Sequence, residues 1–245
     1  RVERIEDIID EALTGAGSHA KDLIIGRITG DDETIESIRS HPFFSCEPAE
    51  RRLLANLGVT DPESIDHALA TGSYRALARI IGRRMPEERV RDSLVAAGLT
   101  GRGGASFPAG IKWNFLATAP GDLHYVVCNA DEGDPGAWVN RVVMEGEPHA
   151  LIEGMIIAGL ATGSKTGYIY LRDEYPLAIE RMERSIQMAI ENELLGSNIL
   201  GSEFEFNLRV IRGAGAYVCG EETGLLSSIQ DSRGMPRIKP PFPAQ

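Results

Sequence analysis

A glycine-rich segment over residues 101–113 has the residue types that could bind an anionic ligand. Four glycines fall within its first ten residues, and the segment also carries Arg102 and Lys112. Glycines let the backbone approach a ligand closely and turn its N–H groups toward an anion. The segment would therefore suit a phosphate or the edge of a flavin. A flexible linker is the alternative, although linkers rarely contain aromatic residues such as Phe107 and Trp113.

An acidic segment over residues 129–136 directly follows an apolar stretch that predicts a buried strand. It places three carboxylates, from Asp131, Glu132 and Asp134, within four residues. Carboxylates are costly to bury without partners, so these must face water, a metal ion or the hydrogen-bond donors of a ligand. They could accept hydrogen bonds from ribose or ribityl hydroxyls. A calcium loop and a plain acidic turn are the alternatives, and the spacing does not match an EF-hand.

A third segment, residues 213–223, lies between a predicted strand and a predicted helix. That context suits a phosphate site at a helix N-terminus. The glycines do not form the G-x-G-x-x-G dinucleotide fingerprint, because the third glycine, Gly220, comes two positions late. The adjacent Glu221 and Glu222 would also repel a phosphate. They suit the first turn of a helix instead, and they could accept hydrogen bonds from hydroxyls or an amide.

The elements that must position these segments alternate between strand and helix. Short apolar runs bounded by turn residues predict strands, and apolar residues at helical spacing predict helices. The predicted strands are 123–128, 167–171 and 206–211, and the predicted helices are 151–160, 176–195 and 220–229. This order predicts an α/β fold, a mostly parallel Rossmann-like sheet with helices on both faces. Ligands of such sheets bind beyond the carboxyl ends of the strands, so the second and third segments should meet at one edge.

The first part of the chain has the residue patterns of helices and predicts a helical N-terminal segment without recognisable chemistry. Asp61 followed by Pro62 is typical of a helix start, and glycines close the predicted helices. The predicted organisation is a helical segment over 1–98 and an α/β domain over 99–245. The proline-rich stretch 239–243 is predicted to be an extended surface segment.

Composition and charge exclude several classes of function. The formal net charge is -11 and the basic residues are scattered, which argues against nucleic acid as a partner. No apolar run approaches the roughly 18 residues of a membrane-spanning helix. The three cysteines are far apart and form no C-x-x-C, so the sequence predicts no disulfide framework, no metal site and no iron–sulfur cluster within this stretch. A reducing, cytoplasmic location fits this cysteine usage.

Four ordered sequence stretches resemble one known family. They are GRGGASFPAGIKW, NADEGDPGAW, GAGAYVCGEET and RGMPRIKPPFPA, and the resemblance extends from about Leu99 to Ala244. Together they are similar to the flavoprotein subunit of respiratory complex I and to the diaphorase subunits of NAD-linked hydrogenases and formate dehydrogenases. One departure is Ser106, which stands where a glycine is usual in this family. The resemblance implies hydride transfer from NADH to bound FMN, followed by electron transfer to iron–sulfur clusters of partner modules.

The resemblance also implies which residues contact each ligand. Hydride transfer needs the two rings stacked at about 3–3.5 Å, so the protein chiefly positions them. Glu132 and Glu222 would help in this positioning, and no side chain is implied as a catalytic proton donor. The residues implied to bind FMN are Gly101, Arg102, Gly103, Gly104, Lys112, Asn129, Asp131, Glu132, Tyr217, Gly220, Glu221 and Glu222. The residues implied to bind NADH are Phe107, Phe115 and Phe242 around the adenine, Lys239 near the phosphates, and Asp134 and Glu222 toward the nicotinamide and its ribose.

Further expectations from the resemblance concern the wider protein. The family continues with a ubiquitin-like module and a helical module that ligates a four-iron cluster, so the chain is expected to be truncated before them. The partner is expected to be an iron–sulfur subunit of a multi-subunit oxidoreductase, in the peripheral arm of a larger complex, with the final electron acceptor left open. NADH is expected to be preferred over NADPH, because acidic groups near the adenosine ribose disfavour an added phosphate. A non-catalytic scaffold homologue and a nucleotide-binding module without redox chemistry are the alternatives.

Overall fold

The computed structural model describes residues 53–213 and 216–244. The helices predicted before residue 53, together with Ala214 and Gly215 of the third segment, lie outside this described part. Residues from Leu53 onward form one compact unit. Its strands are β1 (Tyr125–Ala130), β2 (Thr166–Arg172) and β3 (Asn207–Gly213). Its helices are α1 (Ile65–Thr71), α2 (Arg75–Gly82), α3 (Glu87–Ala96), α4 (Ala109–Thr118), α5 (Asn140–Gly146), α6 (Pro148–Thr162), α7 (Pro176–Glu191) and α8 (Glu222–Ile229), with short 3-10 turns at Ile199–Gly201 and Tyr217–Gly220.

The three strands form a parallel sheet in the order β1–β2–β3. Ala130 at the end of β1 lies opposite Leu171 of β2, which in turn lies opposite Arg212 of β3. The connection from β1 to β2 contains α5 and α6, and the connection from β2 to β3 contains α7. The predicted α/β class with parallel strands is therefore confirmed, and the carboxyl ends of all three strands lie at the same edge.

Successive side chains of the central strand, β2, pack alternately into two helical layers, one on each face of the sheet. Ile169 and Leu171 are completely buried and belong to the main core, together with residues of α6 and α7. The side chain between them, Tyr170, instead packs with Cys219 and with Leu225 of α8. Because successive residues of a strand point to opposite faces, this pattern confirms the prediction of helices on both faces of the sheet.

The helices that precede the glycine-rich segment pack directly onto the α/β part of the fold. Tyr74 and Leu77 lie in the same buried core as the sheet. The Tyr74 hydroxyl is 2.8 Å from Nδ1 of His149, a buried residue in the first turn of α6. Helix α3 packs against both α4 and α6. These helices therefore form the platform from which the glycine-rich segment projects.

One predicted helix start was wrong. Asp61 does not cap a helix, because its Oδ1 accepts a hydrogen bond from the backbone N–H of Glu63 (2.9 Å) and forms a tight turn. The N-cap of α1 is Ser64, whose hydroxyl accepts a hydrogen bond from the backbone N–H of His67 (3.3 Å). The sequence patterns also did not predict α4 and α5. Among the described residues, no helix combines the length and the apolar character needed to cross a membrane.

Candidate functional site

The three segments identified in the sequence meet at the carboxyl edge of the sheet. The side-chain amide of Asn129, in β1, donates a hydrogen bond to the Gly220 carbonyl (2.8 Å). Nζ of Lys112, on α4, is 3.4 Å from a carboxylate oxygen of Glu222 at the start of α8. These contacts join positions that are 91 and 110 residues apart in the chain. A single site therefore contains parts of all three segments.

The glycine-rich segment forms an exposed loop that leads into α4. The backbone N–H of Gly101 donates to the Phe107 carbonyl (2.8 Å), and the N–H of Ala109 donates to the Leu99 carbonyl (2.9 Å), which closes the loop at its base. Ser106 has a φ of 50°, in the left-handed region, which explains why a glycine suits its position. The tip of the loop is accessible to a ligand, since its four residues are exposed: Gly101, Arg102, Gly103 and Gly104.

Close packing between α3 and α4 fixes the direction in which α4 leaves this loop. A Cβ atom at Gly110 would be 2.6 Å from Cγ2 of Val95 and 2.9 Å from the Val95 backbone nitrogen, so only glycine permits this approach. The rings of Phe107, just before α4, and Phe115, within α4, lie side by side with centroids 6.3 Å apart. The two side chains are 47% and 43% exposed. Their faces are accessible to a flat base, as a stacking role requires.

Asp131, directly after β1, has an almost buried carboxylate. Its side chain is only 3% exposed and lies 3.4 Å from Nη1 of Arg172, at the end of β2. Burial raises the pKa of Asp131, while the charge of Arg172 and its hydrogen bond oppose that rise. Sequence reasoning missed Arg172. The indication that could have found it is its place directly after the predicted strand 167–171, at the sheet edge where ligands bind.

The Glu132 carboxylate is fully engaged by the start of α5. Its oxygens accept hydrogen bonds from the backbone N–H groups of Val139 (2.7 Å), Asn140 and Arg141 (3.1 Å), and the residue is buried. A negative charge at a helix N-terminus is favoured by the helix dipole. The Tyr175 hydroxyl donates a further hydrogen bond to the Glu132 carbonyl (2.6 Å). Glu132 therefore shapes the loop between β1 and α5, and its direct contact with a ligand stays a prediction.

Two further predicted residues lie at exposed positions near this loop. Asp134 is exposed, and its Oδ1 accepts a hydrogen bond from the backbone N–H of Gly136 (2.8 Å). Tyr217 is 76% exposed. Its ring lies against Gly133, where a Cβ atom would be 2.7 Å from the ring. The exposed ring of Tyr217 is therefore held beside the acidic segment.

Glu221 is the N-cap of α8. One of its carboxylate oxygens accepts hydrogen bonds from the backbone N–H groups of Thr223 (2.9 Å) and Gly224 (2.9 Å). Burial opposes ionisation, but the hydrogen bonds from Thr223 and Lys239 outweigh it and lower the pKa of Glu221 to about 2. Glu221 is therefore ionised at neutral pH, and it lies one position before the first turn in which the sequence analysis placed it.

Two lysines and two glutamates form one ionic network across the site. Lys239 Nζ is 2.9 Å from a carboxylate oxygen of Glu221 and 2.6 Å from one of Glu222. The charge of Lys112 also acts on Glu222. Burial opposes ionisation of Glu222, and the two lysines outweigh it and lower its pKa. We call Lys112, Glu221, Glu222 and Lys239 the lysine–glutamate network.

The tail after α8 is held against that helix before it reaches Lys239. The backbone N–H of Arg237 donates to the Thr223 hydroxyl (2.8 Å), and Nε of Arg237 donates to the Ser227 hydroxyl (3.1 Å). Further along, Phe242 is half-exposed. Its position beside the other two phenylalanines around an adenine stays a prediction.

In the part of the chain that the structure describes, no group of three or more His, Cys, Asp or Glu side chains is arranged to hold a metal ion. Burial raises the pKa of the Cys128 thiol to about 11. Cys219 is buried in the layer that contains α8. Cys128 is partly buried and packs against the main core.

The chemistry of this site fits a flavin nucleotide. An exposed glycine loop offers backbone N–H donors and Lys112 offers positive charge, while Asp131 and Glu222 offer acceptors for hydroxyls and amides. Fold and site together define an α/β nucleotide-binding domain of the flavoprotein class. Residues 94–245 match the family model described as the Nuo51 FMN-binding domain, and the chain belongs to that family.

Several proteins of known name are similar to this chain. An NADH-quinone oxidoreductase subunit of Rhizobium meliloti (strain 1021) is 49% identical over 192 residues, which cover 78% of this chain and 45% of that protein. "NADP-reducing hydrogenase subunit HndC" of Solidesulfovibrio fructosivorans is 50% identical over 190 residues, which cover 78% of this chain and 38% of that protein. The chain thus spans less than half the length of these curated relatives.

A solved structure has a similar fold. The crystal structure of an NAD⁺-reducing NiFe hydrogenase in the H2-reduced state matches with a TM-score of 0.62 and 32% identity. The match covers 79% of this chain and 30% of the hydrogenase chain. The resemblance inferred from the four sequence stretches is therefore confirmed at the level of the family.

Proposed function

We propose that this chain is the FMN- and NADH-binding part of a diaphorase-type NADH dehydrogenase, in which NADH gives a hydride to FMN. The observation that carries the proposal is the convergence of the glycine-rich segment, through its Lys112, with the acidic segment and the lysine–glutamate network at one sheet edge. FMN, when bound, supplies the hydride acceptor. The family membership and the names of the relatives support the same function.

The residues that would hold FMN come from all three segments. The backbone at the tip of the glycine loop and Lys112 would face its anionic and polar edges. Asp131 and Glu222 would accept hydrogen bonds from its hydroxyls and ring edge, and Asn129 could accept or donate. Because Glu132 is occupied by the amides of α5, its contribution would come through the shape of the loop that carries Asp131. Tyr217, Gly220 and Glu221 would complete this side of the site.

NADH would lie on the solvent side of the flavin. The rings of Phe107 and Phe115 would stack on the adenine, together with Phe242. Lys239 would meet the phosphates, and Asp134 and Glu222 would face the nicotinamide and its ribose. No side chain needs to move a proton, because hydride transfer depends mainly on how the two rings are positioned.

The cofactor preference is a separate part of the proposal. We expect NADH to react faster than NADPH, because carboxylates near the adenosine ribose would repel the additional phosphate. One relative is named for NADP reduction, so the two cofactors must be compared directly. Equal values of kcat/KM for NADH and NADPH would refute the preference without refuting the flavin site.

The electrons would then pass to an iron–sulfur subunit of a multi-subunit oxidoreductase. The relatives are named as subunits of a quinone oxidoreductase and of a hydrogenase, which supports an assembly of this kind. We place the chain in the cytoplasmic, peripheral arm of such a complex.

A binding and turnover experiment on the full chain tests the proposal. FMN is titrated into the protein and followed by quenching of flavin fluorescence, and the complex is then supplied with NADH and ferricyanide. We expect FMN binding and NADH-dependent ferricyanide reduction, both weakened in Lys112→Met. Lys165→Met is the matched control, because Lys165 pairs with Glu205 at the opposite, amino end of β2 (2.5 Å). FMN binding without ferricyanide reduction would favour the scaffold alternative, and absence of FMN binding would refute the proposal.

A further inference from the structure

We propose that Arg172 is a positioning residue for flavin binding, which holds the buried carboxylate of Asp131 in the orientation that a flavin hydroxyl requires. The inference rests on the proposed function, because it assigns the hydroxyls of the flavin side chain as the donors to Asp131. Neither the sequence patterns nor the family resemblance indicated a role for this arginine. It goes beyond the proposed function by naming the group on which the acidic segment depends.

The register of the sheet brings the two residues together. Ala130, the last residue of β1, lies opposite Leu171 of β2. Asp131 and Arg172 directly follow these two strand ends and are therefore neighbours at the carboxyl edge. Their charged groups are 3.4 Å apart. Since β2 is the central strand of the three, Arg172 reaches the site from the end of a strand that is paired on both sides.

The guanidinium is fixed from both sides. Nη1 faces Asp131 at 3.4 Å and Nη2 donates to Glu174 at 2.7 Å. A Cβ atom at Gly133 would be 2.8 Å from Nη1, so the backbone of the acidic segment lies against the guanidinium as well. A planar guanidinium whose two Nη atoms both have partners has little freedom to turn. It therefore fixes the position of whatever carboxylate it faces.

Asp131 needs such a partner. The side chain is 3% exposed. Burial removes much of a carboxylate's hydration, and the charge is costly unless a cation or hydrogen-bond donors compensate for it. Burial raises the pKa of Asp131, and Glu174 adds to that rise, whereas Arg172 opposes it. Of the groups acting on Asp131, Arg172 is thus the cation. Without it, Asp131 would turn toward solvent or take up a proton, and either change would remove an acceptor from the flavin site.

A direct contact between Arg172 and the FMN phosphate is the competing explanation. The arginine side chain is only 15% exposed and already serves two carboxylates. A phosphate could reach it only if these contacts were given up. Riboflavin separates the two explanations, because it keeps the hydroxyls of FMN and lacks the phosphate.

The experiment measures the Kd of FMN and of riboflavin by fluorescence quenching on the full chain and its variants. In Arg172→Met we expect both ligands to bind more weakly by the same factor, about tenfold, since a hydrogen bond to a charged group is lost. Arg172→Lys should recover part of the loss. Combining Asp131→Asn with Arg172→Met should weaken binding no further than the worse single change. Arg212→Met is the control, because Arg212 of β3 forms an exposed ion pair with Glu183 of α7 (2.9 Å).

Three results would overturn the inference. They are unchanged binding in Arg172→Met, a loss confined to FMN, and fully additive losses in the double variant. If the parent chain binds neither flavin, the proposed function fails, and the arginine is then judged on the ligand-free protein. There, Arg172→Met should lower the melting temperature, and adding Asp131→Asn should restore at least part of the loss. A melting temperature that falls further on adding Asp131→Asn would contradict the pairing itself.

Discussion

Lys239 Nζ and the Glu222 carboxylate are 2.6 Å apart, and this ion pair ties the proline-rich tail to the first turn of α8. Lys112 approaches the same carboxylate from α4. The two lysines that could meet a ligand phosphate are thus held by the glutamate that would face the nicotinamide. Binding of a negatively charged dinucleotide would exchange the partner of Lys239, since the phosphates compete with Glu222 for this lysine.

Replacing Lys239 tests this exchange. In Lys239→Met we expect the KM for NADH to rise about tenfold, because Glu221 and Glu222 lose their shared cation and the phosphates lose theirs. The Kd of FMN should change less than about twofold. Steady-state ferricyanide reduction and fluorescence titration supply the two values. Lys165→Met should alter neither value. A loss of FMN affinity with an unchanged KM for NADH would mean that Lys239 binds FMN and not NADH.

The loop between β1 and α5 depends on Glu132. Glu132→Gln replaces a carboxylate that accepts from three backbone N–H groups with an amide whose NH₂ would face those donors. We expect the free energy of unfolding to fall by about 1–2 kcal/mol and FMN binding to weaken with it. Glu145→Gln is the matched control on α5, because the Glu145 carboxylate forms an i,i+4 pair with Arg141, worth about 0.3–0.5 kcal/mol. Equal losses in urea unfolding would show that the cap is unimportant.

The sheet and its binding edge were predictable because their causes are local. Short apolar runs such as the one around Ile169 favour burial on both faces of a sheet, and helices between successive strands favour a parallel arrangement. Parallel strands bring their carboxyl ends together, so the meeting of Asn129 with Gly220 followed from the order of elements alone. Helix α4 was not predictable in this way. It contains a glycine in its first turn and is held by packing against α3, which no local pattern reports.

Gly110 should be indispensable for that packing. In Gly110→Ala the new Cβ would meet the side chain and backbone of Val95 at 2.6 and 2.9 Å and the Arg91 carbonyl at 3.1 Å. The backbone contacts cannot move aside unless α3 and α4 separate. We expect the free energy of unfolding to fall by about 1–3 kcal/mol, with weaker FMN binding because the glycine loop is displaced.

The control for this change is another helical glycine. A Cβ atom at Gly154 of α6 would have no heavy atom within 4 Å, so Gly154→Ala should stabilise the protein by about 0.5–1 kcal/mol through helix propensity. Urea unfolding measures both variants. Stabilisation by both changes would mean that α3 and α4 are not closely packed at Gly110.

Acid should destabilise the protein through His149. Burial lowers the pKa of His149 from its ordinary 6.5 to about 4, so between these values the unfolded chain binds a proton that the folded protein excludes. The associated stability is fully present above pH 6.5 and is lost as the pH falls toward 4, by up to about 3 kcal/mol. Unfolding curves across this range measure the loss.

The matching variants separate titration from hydrogen bonding. His149→Gln should be less sensitive to pH between 6.5 and 4, because it has no proton to gain. Tyr74→Phe removes the hydroxyl that lies 2.8 Å from Nδ1 but keeps the imidazole, so it should retain the pH dependence. If His149→Gln lost stability with falling pH as steeply as the parent chain, other groups would be responsible.

What the sequence did not reveal were the directions of individual side chains. Three carboxylates within four residues of the acidic segment look equivalent in the sequence, yet Asp131 faces an arginine, Glu132 caps a helix and Asp134 is exposed. These differences arise from the register of β1 with β2 and from the position of α5, which are tertiary facts. Arg172 was overlooked for the same reason, because its partner is 41 residues away in the chain.

An anaerobic titration of the FMN-loaded chain with NADH, followed by the flavin absorption band in the visible region, tests the proposed site most directly. We predict that FMN binds and that the band bleaches as NADH is added, with the loss complete near one NADH per flavin. A band that stays unchanged in the presence of excess NADH, with FMN still bound, would contradict the claim that this sheet edge brings nicotinamide and flavin together.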